Sequence, residues 1–363
     1  MSQAFSTVSG LVHFTKYLGF QVMYWLALIA AVVGAALAAQ WFFALSMKRR
    51  QAVQKYQYPV EKKSLKQTNI EDWIELNDTY LEKYNLKKQL YKEQRAKVLA
   101  YLPGYEDGVF EALELLKDTL IRRYPTMFRR RNHSTIENLV TGDVWDLHPD
   151  AATWKTHHPL EVMGLLATED FFMLHNNTET GESILTSGGV CFPGGFKIEE
   201  RVGQSLWGIH AGKVPQYETK LAKSMDRFFL KLKVESAISR SNFAIEDRPE
   251  LFHRHPHHNL SLEDVENPPT PDNLYLRVER QFLQRLPKSR GLLLTFHTYV
   301  TPVTEVTEDK DVARALRTSV SSFSGELAKY KNKVLWQKGL LSHISEVLGE
   351  SVASLDASSD NRL

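Results

Sequence analysis

His210 stands in Gly208-Ile209-His210-Ala211-Gly212-Lys213-Val214-Pro215, a loop bounded by glycines. A single imidazole in such a loop can offer a ring nitrogen to a metal or a haem iron; the plainer reading is a structural or exposed ring. His253, His255, His257 and His258 crowd the stretch FHRHPHHN. Such a cluster can bind a transition metal. However, Pro256 splits it, no helix sets its rings four apart and no carboxylate completes a site, so an exposed loop with one ring turned to a pocket is the alternative. Cys191 is the only cysteine. One thiol excludes an internal disulfide and an iron–sulfur cluster held by this chain alone. Near the end of an apolar strand it reads as a small buried hydrophobe, with haem ligation as the other possibility.

The stretch LYLRVERQFLQRLPKSRGLLLTFHTYVTP, Leu274 to Pro302, must position much of the rest. Read at about 100° per residue, Arg277, Arg280, Gln281 and Gln284 share one face of a helix that ends at Pro287 and Gly291. Leu292 to Val300 alternates as a strand, with Leu292, Leu294 and Phe296 on one side and Leu293, Thr295, His297 and Tyr299 on the other. A cationic, amide-bearing helix before a strand with His and Tyr can line a pocket for an anionic ligand. A solvated arginine face is the plain counterpart.

The formal net charge of +2 argues against a nucleic-acid binder. No dinucleotide fingerprint, phosphate-binding loop, GxSxG or HExxH is present, so nucleotide cofactors, NTPases, serine hydrolases of the usual kind and zinc proteases lack support.

Residues 1–47 carry no Asp or Glu, and Tyr24 to Leu45 is almost wholly apolar. That is long enough to cross the bilayer core, which takes about 20 residues, and too long for a signal-peptide core. Lys48, Arg49, Arg50 and Lys55 follow at once, so the positive-inside tendency puts the body of the chain in the cytosol, as a single-pass protein of the endoplasmic reticulum. The expected organisation is an N-terminal segment 1–50 with its span at about 20–45, a basic linker 51–68, an α+β domain 69–350 and a disordered polar tail 351–363.

Within the domain the periodicity predicts a helix over Asp107–Tyr124, a short helix over Pro159–Ala167, and a hairpin of Asp170–His175 with Ser183–Phe192. It also predicts a loop entering His210, a helix over Gln216–Lys231, a strand over Ile238–Ile245 and helices from Arg314 to Glu350. The total is α+β, an antiparallel sheet with helices against it.

Four segments follow one another in a known order and spacing: EDWIELNDTYLEKY, HSTIENLVTGDVW, VCFPGGFKIEERVGQSLWGIHAGKVPQYETKLAKSMDRFF and LRVERQFLQRLPKSRGLLLTFHTYVTPVTE. In this the chain resembles the haem-dependent oxidative N-demethylase-like family, and in detail its membrane-anchored fungal members. The likeness spans about residues 68–345. It implies a PAS-like fold with flanking helices, haem b, oxygen-dependent oxidation of a small organic substrate such as an amine, and a separate reductase as electron donor. Carried over by position, it implies His210 as the axial iron ligand and Arg277, Arg280 and Gln281 as cofactor-binding residues, with His253 or His255 as a catalytic group. The His-rich loop is expanded relative to simpler relatives, and the span is absent from bacterial members. The function class of a different kind that also fits is a non-catalytic haem or small-ligand sensor.

Overall fold

The computed structural model describes residues 66–177, 179–255, 268–323 and 325–350. The apolar stretch Tyr24–Leu45, the linker up to residue 65, the polar tail, and His257 and His258 lie outside them. Among the described residues no helix is long and apolar enough to cross a membrane.

The strands are β1 (Lys66–Thr68), β2 (Leu99–Tyr101), β3 (Phe128–Arg130), β4 (Thr135–Asn138), β5 (Val144–Asp146), β6 (Asp170–Asn176), β7 (Ser183–Gly189), β8 (Ala237–Glu246), β9 (Tyr275–Arg285) and β10 (Leu292–Pro302). The helices are α1 (Tyr80–Glu93), α2 (Arg95–Val98), α3 (Glu106–Arg123), α4 (Pro159–Leu166), α5 (Leu206–His210), α6 (Ala222–Lys231), α7 (Val303–Val306), α8 (Lys310–Ser321), α9 (Gly325–Tyr330) and α10 (Lys333–Leu348). Seven strands form one sheet in the order β1-β8-β9-β10-β6-β7-β2, every pairing antiparallel, and β3-β4-β5 form a small second sheet.

The predicted helix over Leu274–Leu286 is instead the central strand β9. It pairs along its whole length with β8 on one side and β10 on the other. Being central, it buries apolar groups on both faces: Leu276, Val278 and Phe282 on one, Leu283 on the other. A strand covered on both faces loses clean alternation, and its apolar residues then mimic a helical spacing. The change of period regroups the polar residues. Arg277, Glu279 and Gln281 share one face, and Arg280 points to the other, in register with His297.

One face of the sheet carries Phe172, Leu174, Leu283, Leu292, Leu294 and Phe296. It is covered by the segment between β7 and β8, through Ile198, Leu206, Ile209, Phe229 and Leu232. Gly188 makes this close packing possible, because a Cβ there would lie 2.6 Å from Ile198 Cδ1. The other face carries Met173, Thr295 and His297 and is covered by α1, α3 and α4. There Thr295 donates to the Trp73 carbonyl, and Gly108 of α3 lies against Met173.

Helix α3 follows its sequence closely. Val109, Leu113, Leu116 and Leu120 are buried, with Glu106 and Asp107 in the first turn and Arg122 and Arg123 in the last, complementing the helix dipole. It also fixes the β9–β10 hairpin, whose tip donates from Lys288 N and Ser289 N to the Glu111 carboxylate, both at 2.7 Å.

Candidate functional site

His210 ends α5, the short helix that replaces the predicted loop. Ser205 caps its start by accepting from Gly208 N. Nδ1–H of His210 donates to the Leu206 carbonyl at 2.8 Å, which fixes the tautomer and leaves the lone pair on Nε2. Nε2 has no hydrogen-bond partner among the described residues. Burial holds the imidazole below the usual histidine range; the Leu206 bond works against this, and the nearby charges of Arg201, Arg240 and Lys213 add to it. The ring is therefore neutral at physiological pH, the state in which an imidazole ligates a metal.

The backbone beyond His210 is unusual. Gln216 takes a left-handed conformation, φ 61°, and opens a π-helical turn, Tyr217–Leu221. Such turns are rare and are found frequently at functional sites. This one stacks Tyr217 on His210, with ring centroids 4.9 Å apart. Tyr217 is 1% exposed and its hydroxyl has no hydrogen-bond partner among the described residues.

On the same face of the sheet Phe196, Val202, Met225, Phe228 and Phe296, all half-buried, pack against the core cluster. Polar groups border this apolar floor. Arg201 donates to the Ile209 carbonyl and lies over the Phe196 ring. Arg240 on β8 is in register with Gln281 on β9. Gln281 and Asn242 both donate to Glu279 Oε2. Arg277, 2% exposed, donates to the Phe192 carbonyl at 2.8 Å, while its Nε and Nη1 have no hydrogen-bond partner. Its charge is balanced by Glu279 at 3.7 Å and Glu246 at 3.8 Å. Gly194, at φ 50°, sits directly against that guanidinium. Buried His253 donates from Nε2–H to Glu246 Oε2 at 3.1 Å, and its carbonyl accepts from Gly195 N.

The structure thus brings His210, Arg277, Gln281 and His253 to one face of the sheet. It does not bring Arg280 there. Arg280 donates to the Asp72 carbonyl and lies 3.5 Å from Glu75, on the opposite face. His255 is exposed at the edge of the described loop. Cys191 is fully buried beside Tyr91 and Lys87, its thiol pushed up to about 12 by burial, so it is a neutral core group. Among the described residues no group of three His, Cys, Asp or Glu side chains is placed to hold a metal ion.

Residues 64–341 match the family described as haem-dependent oxidative N-demethylase, alpha subunit-like. The chain belongs to that family. Its name calls for haem, and the side chains on this face have the chemistry to hold one. A neutral imidazole presents a free nitrogen, guanidinium groups suit propionate carboxylates, half-buried aromatic rings suit a porphyrin, and the Tyr217 hydroxyl is an orphan that a ligand can satisfy. A haem bound through one protein nitrogen needs no three-residue metal cage.

Sequence reasoning missed Arg201 and Arg240, since each comes near His210 only through the fold. His297, expected to help line the pocket, is placed elsewhere. That ring is 1% exposed on the opposite face, with Nδ1 3.1 Å from Glu169 Oε1 and Nε2 3.3 Å from Lys83 Nζ. Lys83, lowered to about 8 by burial, also donates to the Thr298 carbonyl. This network ties α1 to the sheet.

Proposed function

We propose that the chain is a membrane-anchored, haem-dependent monooxygenase that oxidises a small organic molecule. Oxidative N-demethylation of an amine, or a comparable step in secondary metabolism, is the reaction class. The supporting observation is the neutral imidazole of His210, oriented by the Leu206 carbonyl, at the edge of a cluster of half-buried aromatic and aliphatic side chains. The strand order β7-β6-β10-β9-β8, with helices inserted between β7 and β8, supports a PAS-like reading of the domain.

His210 would hold the iron of haem b through Nε2, and Arg201 and Arg240 would pair the propionates. When bound, haem supplies the dioxygen and electron chemistry. The protein supplies the rest. The Leu206 carbonyl locks the imidazole tautomer. Phe172, Phe196 and Phe296 exclude water from the sheet face. His253, oriented by Glu246, holds or moves a proton at its ring; Arg277 keeps Glu246 and Glu279 in place. Electrons come from a separate reductase. The apolar stretch Tyr24–Leu45 holds the domain at the cytosolic face of the endoplasmic reticulum, near apolar substrates.

The test is the absorption spectrum of the purified protein, alone and with carbon monoxide. A Soret band that disappears in His210→Ala is expected; a band that survives moves the ligand elsewhere, first to His253. A variant lacking residues 1–50 is expected to leave the membrane fraction, and sedimentation with membranes would overturn the anchoring role.

A further inference from the structure

We propose that Trp207 and the lysines around it form the docking face for an acidic one-electron carrier protein, with Tyr217 as the contact between that face and His210. The proposal rests on the reading of His210 as the iron ligand.

Trp207 is 45% exposed although it lies one turn from the candidate ligand. Its ring centroid is 6.2 Å from that of Tyr217, which in turn stacks on His210 at 4.9 Å. Two rings, Trp207 and Tyr217, therefore lead from the surface to the imidazole. The flanking surface is basic. Lys213 reaches back to the Gly208 carbonyl, and Lys220, Lys223 and Arg227 are exposed on the following turns. The nearby acids are fewer: Glu218, which accepts from Gly212 N, and half-buried Asp226 and Glu182, which lie near each other. An exposed tryptophan on a segment with an excess of basic residues is the usual make-up of an interface anchor with electrostatic steering.

The chemistry requires such a partner. Oxidation at haem consumes electrons, and the sequence offers no flavin or nicotinamide fingerprint and too few thiolates for an iron–sulfur cluster. In the proposed step one electron leaves the carrier's reduced flavin or iron–sulfur centre, which is oxidised by one electron. With haem held by His210, that electron would reduce the ferric iron. No bond forms or breaks, no proton moves, and the rings of Trp207 and Tyr217 narrow the gap without being reduced themselves. An anionic membrane also attracts lysines, but a membrane has no use for an aromatic path to His210, so the carrier is favoured.

The experiment uses the full-length protein in detergent micelles, with a reduced, acidic plant-type ferredoxin as probe. Association is expected at low ionic strength, falling with salt. The triple variant Lys213→Glu, Lys220→Glu, Lys223→Glu should slow it by about tenfold or more. At saturating ferredoxin, Trp207→Ala should slow haem reduction by about tenfold relative to Trp207→Phe, since only the ring path differs; reduction by dithionite should be unchanged in both. The proposal is overturned if wild type does not associate, if charge reversal leaves association intact, or if Trp207→Ala is reduced as fast as wild type. It is also overturned if charge reversal affects only retention on phosphatidylserine vesicles. Absence of a Soret band is a failure of the haem reading instead, and ferredoxin association with the haem-free protein then decides the docking face by the same charge-reversal comparison.

Discussion

The imidazole of His210 stacks on the phenol of Tyr217, their planes inclined by only 21°. The hydroxyl of that phenol is buried and unpaired, with its ionisation pushed up to about 12 by burial. A buried hydroxyl without a partner costs about 1–3 kcal/mol. Tyr217→Phe is therefore expected to leave the haem-free protein as stable as wild type or more so, while weakening haem retention. Urea midpoints and haem-transfer rates measured on the same preparations check both halves; a loss of stability without haem would show that the hydroxyl has a protein partner.

The two faces of the large sheet divide the arginines around it between tasks. Arg201→Ala and Arg240→Ala should each speed haem loss, corresponding to about 1.5–3 kcal/mol for a charged hydrogen bond. Arg280→Ala should leave haem content alone and lower folding stability, since its partners are the Asp72 carbonyl and Glu75. Faster haem loss from Arg280→Ala than from Arg240→Ala would reverse the assignment of faces.

His253 and Glu246 form a buried imidazole–carboxylate pair. His253→Ala should keep the Soret band yet lower turnover by about 10²–10⁴, the usual worth of a positioned acid or base. Glu246→Gln should have a smaller effect and shift the pH profile of kcat/KM. Unchanged turnover in His253→Ala would reduce the pair to a structural role.

On the opposite face, burial opposes charge on Glu169, yet hydrogen bonds from His297 and Glu75 N hold its carboxyl below the usual range. His297→Leu would remove one of the two hydrogen bonds that hold that carboxylate and is expected to cost about 1.5–3 kcal/mol. The urea midpoint is the readout, with Glu169→Gln/His297→Leu expected to recover part of the loss.

Acid should destabilise the domain before its carboxylates titrate. Burial lowers His158 to about 4, and it also lowers His175, His210 and His297. A histidine with a depressed folded value is neutral in both states above about 6.5. Below that the unfolded chain takes up protons first, so stability falls as pH drops from about 6.5 towards 4. His158 caps α4, accepting from Leu160 N through Nδ1, a bond that protonation removes. His158→Asn keeps an acceptor without the charge, and its melting temperature should fall less steeply over that pH window.

Sequence alone determined the amphipathic helix α3, the β6–β7 hairpin, strand β10 and the family. Those segments bury one face or carry unmistakable turn residues, so their periodicity survives. Tyr275–Arg285 was not legible in this way. It is sandwiched between β8 and β10 and covered on both faces, and only pairing with distant strands decides that its period is two rather than near four. That decision separates Arg280 from Arg277 and Gln281. It also brings Arg240, from a strand 30 residues beyond His210, towards the imidazole. The residue types that can bind haem were written in the chain. Which of them share a face was settled by strand pairing, because alternation in a sheet sends neighbours to opposite sides.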